Sequence, residues 1–81
     1  MKVHVRLFAV ARELAGDDVV SLEMPEGCTI AEVRRALANR VPALADVLPH
    51  VLFAIGSQYV NDGAIVPAEG EVACIPPVSG G

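Results

Sequence analysis

From Lys2 to Phe8 apolar and polar side chains alternate, with Val3, Val5 and Leu7 on one side and His4, Arg6 and Phe8 on the other. A half-buried β-strand has this period of two. The alternation breaks over 9–15, a run of helix formers followed by Gly16, a suitable residue for closing a helix, and by Asp17-Asp18, which turn the chain out. A short helix is predicted there. Alternation resumes over 19–24, with Val20, Leu22 and Met24 opposite Val19, Ser21 and Glu23, until Pro25-Glu26-Gly27 ends it. This predicts a second strand returning beside the first.

Thr29-Ile30-Ala31-Glu32 has the spacing of a capping box, in which the Thr29 hydroxyl accepts from the third helical amide and Glu32 reaches back to the cap N–H. The helix that starts at Ile30 carries Ile30, Val33, Leu37 and Val41 on one stripe, with Arg34, Arg35, Ala38 and Asn39 elsewhere, and Pro42 stops it. A further helical turn is expected over 43–48, before Pro49. A strand over 51–55, a turn at Gly56-Ser57 and a short strand over 58–60 follow. Turn signals at Asn61-Asp62-Gly63 and Pro67-Ala68-Glu69-Gly70 lead to a last strand over 71–75, with Val72 and Cys74 on one side and Ala73 and Ile75 on the other. The order β-α-β-α-β-β-β predicts an α+β domain over residues 1–75, a mixed sheet packed on one main helix, and an extended tail over 76–81.

With 81 residues, 53% of them apolar, the chain can build one core and one domain. A net charge of −4 lacks the clustered cations that neutralise phosphates, so nucleic acid is excluded as a partner and a basic cleft is favoured. Charges at Arg6, Arg12 and Glu13 interrupt the amino-terminal segment, so no signal peptide or membrane span is expected and a cytoplasmic location is. Cys28 and Cys74 lack metal-ligand or redox spacing, His4 and His50 are isolated, and no metal is expected. Lys2 is the only lysine, which leaves little capacity to receive isopeptide links.

The chemistry falls at the end of the chain. Pro76 and Pro77 cannot continue a strand ladder, because proline has no N–H and fixes φ, so the chain leaves the sheet extended. Six extended residues, Pro76, Pro77, Val78, Ser79, Gly80 and Gly81, reach roughly 20 Å. No charged side chain follows Glu71, and two glycines without side chains can enter a narrow channel in a partner. The reactive group is then the α-carboxyl of Gly81. If Val3, Val5, Leu7, Val72 and Cys74 face the long helix, then Phe8, Ile75 and Tyr59 face away, near the tail. Such an apolar patch marks an interface, and Arg12 on the first helix is placed to clamp a partner's carboxylate or a tail carbonyl.

Phe8-Ala9 followed by Arg12-Glu13-Leu14 and Gly16, the helix opening at Thr29, and the run from Glu69 through Ile75-Pro76-Pro77-Val78-Ser79-Gly80-Gly81 together resemble the sulfur-carrier small subunits of molybdopterin synthase, which are ubiquitin-like β-grasp proteins. The resemblance covers essentially the whole chain, and its terminal motif is the specific part. It departs from the common pattern at Gly56-Ser57, where an Asn-containing turn is usual, and at Cys74 and Ile75, where bulkier residues are common. It implies that the first and last strands run parallel at the sheet centre. It implies that an adenylyltransferase activating enzyme uses ATP and Mg to adenylate Gly81, that a sulfur donor protein converts it to a thiocarboxylate, and that the tail enters the synthase large subunit and sulfurates a pterin precursor. Phe8, Arg12, Tyr59 and Ile75 would contact that subunit, with Gly80 and Gly81 in its active site. The chain itself binds no cofactor and is no enzyme alone. Two other readings share the tail: a carrier for another sulfur pathway, such as thiazole or cysteine, and a ubiquitin-like modifier joined to target lysines. Cys74 lies beside the tail, yet its alternation points it inward, which predicts packing rather than thiol chemistry.

Overall fold

The computed structural model describes residues 1–77. The first strand, β1 (Lys2–Leu7), lies between β2 (Val19–Glu23), with which it is antiparallel, and β5 (Glu71–Ile75), with which it is parallel. On the far side of β5 come β3 (Leu52–Ile55) and β4 (Gln58–Val60), both antiparallel to their neighbours. The sheet order is β2-β1-β5-β3-β4, which makes the last strand the centre of five and sets it parallel beside the first, as the resemblance implied.

The alternation read from sequence decides which face is buried. Val5 pairs with Val20 and Val72, Leu7 with Cys74, and Cys74 with Phe53, so these side chains line one face. Together with Ile30, Val33 and Leu37 of α2 (Ile30–Arg40) they form a single core cluster almost without exposure. Each fully buried aliphatic or aromatic side chain of this kind contributes about 1.5–3 kcal/mol. The capping box forms as the spacing predicts: Glu32 N donates to Thr29 Oγ1 at 3.3 Å and Thr29 N donates to Glu32 Oε1 at 2.8 Å. Val41, which precedes Pro42, has left the helical region and caps the helix half-buried.

The element boundaries differ from expectation where backbone donors find other partners. The helical turn expected over 43–48 is two 3₁₀ turns, Pro42–Leu44 and Leu48–His50, each with proline near its start. Val51 N donates to Leu48 O to close the second turn, so β3 starts one residue later than predicted. Arg34, read as lying off the core stripe, is half-buried: it donates to Leu48 O, to Val51 O at 3.1 Å and to Asp62 Oδ1 at 2.7 Å, and its guanidinium lies 4.9 Å from the Phe53 ring centroid. One cation thus ties α2 to the segment entering β3, and polar–apolar periodicity does not see it.

Candidate functional site

β1 stops at Leu7, whose N–H donates to Asp18 O at 2.7 Å, and Phe8 leaves the ladder as the cap of α1 (Ala9–Ala15). The turn is made at Ala9, with φ of 51°, a left-handed conformation that costs an L-residue roughly 1–2 kcal/mol. Strain of this order persists where the surrounding structure overdetermines it, and here it swings Phe8 onto the sheet face opposite the core, 41% exposed.

Register places the other predicted residues on that same outer face. Ile75 pairs with Leu52, Ala73 with Arg6 and with Ala54, and Ala54 with Tyr59. Since side chains alternate across a strand, Phe8, Ile75 and Leu52 form one apolar row at the end of the sheet from which the chain exits, with Tyr59 one row below, 64% exposed. Leu52, 51% exposed, belongs to the patch and was not anticipated. Its run, Leu52-Phe53-Ala54-Ile55, is apolar throughout and has no alternation, so only the pairing with Ile75 assigns its face. Arg12 sits on α1 with its side chain 58% exposed, and its contact with the exposed Asp18 at 4.0 Å is weak enough to leave it available.

The exit differs in one respect from expectation. Pro76, read as the first residue of the tail, is buried, and Pro77 is the first exposed residue beyond β5. Val78, Ser79, Gly80 and Gly81, which carry the rest of the expected tail, lie outside the described residues. β5 runs parallel to β1, so the chain leaves at the Phe8 end of the sheet.

The body offers little chemistry of its own. Both cysteines are free and buried, and Cys74, with no exposure, has its thiol pushed up to about 11, chiefly by desolvation, against a smaller lowering by Arg34. It packs, as its alternation predicted. Among the described residues no group of three His, Cys, Asp or Glu side chains could hold a metal ion. His4 Nδ1 is 2.9 Å from Ser21 Oγ across the β1–β2 pair, an exposed strand contact remote from the exit.

The model of the ThiS family matches residues 5–81. The chain belongs to the ThiS family. Among curated relatives it is similar to a molybdopterin synthase sulfur carrier subunit from Arabidopsis thaliana, 41% identical over 81 residues that span all of this chain and 84% of the relative. Among solved structures it is similar to SAMP1 from Haloferax volcanii (28% identity, TM-score 0.86, all of both chains). It is also similar to a putative molybdopterin converting factor subunit 1 from Pyrococcus furiosus (28%, 0.81, 96% of this chain and 99% of that one). The ubiquitin-like β-grasp fold expected from sequence is therefore the fold of this ThiS-family chain. In it Phe8, Tyr59 and Ile75 are brought onto one face, and Arg12 lies on the helix that follows Phe8.

Proposed function

We propose that this chain is the sulfur-carrier subunit of a molybdopterin synthase, with the α-carboxyl of Gly81 as the group that carries sulfur. The observation that carries this reading is the match along the whole chain to a relative of that name. The outer face supports it: an apolar patch at the exit of β5 gives a large subunit something to hold while the tail enters its active site.

The chemistry follows from the resting state of the end group. A carboxylate resists nucleophiles, so an activating enzyme joins Gly81 to the adenylyl group of ATP, with Mg and release of pyrophosphate. A sulfur donor protein supplies sulfur at the sulfide level, which attacks the acyl carbon, displaces AMP and leaves the thiocarboxylate. In the large subunit that sulfur attacks a carbon of the pterin precursor and displaces an oxygen substituent from it, and hydrolysis of the acyl–sulfur bond leaves the sulfur on the precursor and returns the carboxylate. General acids and bases come from the partners. This chain supplies a docking face and the carboxyl-terminal tail.

The test is intact mass of the protein isolated from a host with the pathway, together with a reconstituted synthase. A fraction with one oxygen exchanged for sulfur is expected, and deletion of Gly81 should abolish sulfur transfer with unchanged thermal stability. Full activity of the deletion variant would refute the assignment. A second reading, a protein modifier, is favoured by one observation, the likeness to Haloferax volcanii small archaeal modifier protein 1. Conjugates joining Gly81 to target lysines, with no thiocarboxylate found, would decide for it. Among the described residues no helix is long and apolar enough to cross a membrane.

A further inference from the structure

Across the middle of the outer face the registered neighbours are Arg6, Ala73, Ala54 and Tyr59, in the order large, small, small, large. Two alanines side by side between longer side chains leave a depression. It encloses about 240 Å³, with Ala54 and Ala73 as floor and Arg6, Phe8, Glu71 and Gly56 around it. Ala54 is only 6% exposed although it lies on the outer face, so its neighbours shade it and a flat surface laid on the patch would not reach it.

Two features say what would fill it. The volume lies below the roughly 300–1,000 Å³ typical of small-molecule clefts, and the site is open, which suits a side chain rather than a cofactor. Arg6, opposite Ala73 on β1, and Glu71, two residues before Ala73 on β5, both line the depression, and neither makes an ion pair among the described residues. Their charges are left for a partner, with a carboxylate wanted at Arg6 and a cation at Glu71.

We propose that this socket is the specificity-determining subsite of the face: it takes one large apolar side chain from the synthase large subunit, with a carboxylate of that subunit set against Arg6. The proposal rests on the function proposed above and adds to it. Aromatic and aliphatic knobs that fill desolvated pockets dominate binding energy, while flat apolar contact around them mainly excludes water. The exposed row of Phe8, Ile75 and Leu52 is the surround, and the socket is where shape is read.

The test is Ala73→Leu, measured by calorimetric titration against the large subunit, with a thermal melt of the variant alone. Leucine fills the socket while adding apolar surface, so the socket predicts a loss of affinity of about tenfold or more. A merely greasy patch predicts equal or tighter binding, and that result would overturn the proposal. Where Ala73→Leu does not fold, Ala73→Val, well suited to a strand, carries the same test. Arg6→Glu should also weaken binding about tenfold and Arg6→Lys should largely restore it; equal affinity for all three side chains would overturn the charge assignment. Loss of affinity for the activating enzyme with unchanged affinity for the large subunit would overturn the choice of occupant. Absence of any binding by the unaltered chain would instead defeat the parent reading.

Discussion

Gly70 is the residue on which the position of β5 depends, and Gly70→Ala should damage the fold far more than an ordinary glycine replacement. The residue is buried with φ of 66°, and a Cβ there would collide with the carbonyl oxygen of Lys2 while lying 3.4 Å from Lys2 C and 3.6 Å from Val3 Cα. All three neighbours are backbone, so no side chain can swing aside. The left-handed conformation costs alanine roughly 1–2 kcal/mol. Relief of the collision separates β1 from the turn and weakens the bond in which His4 N donates to Gly70 O at 2.6 Å, worth about 1 kcal/mol more. A total of about 2–3 kcal/mol lowers Tm by roughly 8–24 °C for a domain of this size. The control is Gly56→Ala: φ there is 63°, but nothing lies within 4 Å of the added Cβ, so only the conformational cost of roughly 1–2 kcal/mol applies. Urea unfolding of both variants, with unchanged m-values, should leave Gly70→Ala less stable than Gly56→Ala by about 1 kcal/mol, the part that comes from the contact with β1. Equal destabilisation of the two would refute the close approach of the turn to β1.

Two predictions concern titration. Because burial raises the Cys74 thiol from 9.0 to about 11, its stabilising contribution is complete below pH 9 and is lost as pH rises toward 11; Cys74→Ala should flatten the alkaline limb of the stability curve, and in the native protein Cys74 should react with a thiol reagent only after denaturant is added. Glu32 has its carboxyl held below the ordinary value, first by the Thr29 backbone N–H and then by the Thr29 side chain, so the capping box stabilises above that value and is lost as pH falls through the depressed one. Glu32→Gln should therefore lessen the acid dependence of urea stability, and an unchanged acid limb would count against the capping role.

The fold was legible because the strands that matter most alternate cleanly. In β1 and β5 each polar or small residue falls on the outer face and each core residue on the inner, and the turn signals separate the elements unambiguously. Thr29 and Glu32 announce the helix start for a local reason, reciprocal satisfaction of its first amides. What was illegible depends on contacts distant in sequence. Leu52 has no face until it is paired with Ile75, the socket exists only because Ala54 and Ala73 become neighbours, and Arg34 looks solvated until Leu48 and Val51 present their carbonyls to it. The left-handed turn at Ala9 had no signal at all, since alanine has none of the tolerance of positive φ that marks glycine or asparagine.

Pleat and register together explain how so few residues form both a closed core and an exposed apolar patch. In β1, β3 and β5 adjacent positions serve opposite ends: Leu7, Phe53 and Cys74 are without exposure or nearly so, while Phe8, Leu52 and Ile75, each next to one of them in sequence, face outward. A slip of one residue of β5 against β1 would turn β5 over, burying Glu71 and exposing Val72 and Cys74. The lock against that slip is the turn at Gly70, where the backbone of one strand lies against the backbone of the other with no room for a side chain. The same lock sets how far Ile75, and hence the chain that follows it, advances past Phe8. The position of Ile75 and presentation of the patch are thus fixed by one contact; under the function proposed above, a substitution that loosens Gly70 should weaken partner binding and sulfur delivery together, whereas Ala73→Leu should weaken binding with the fold intact.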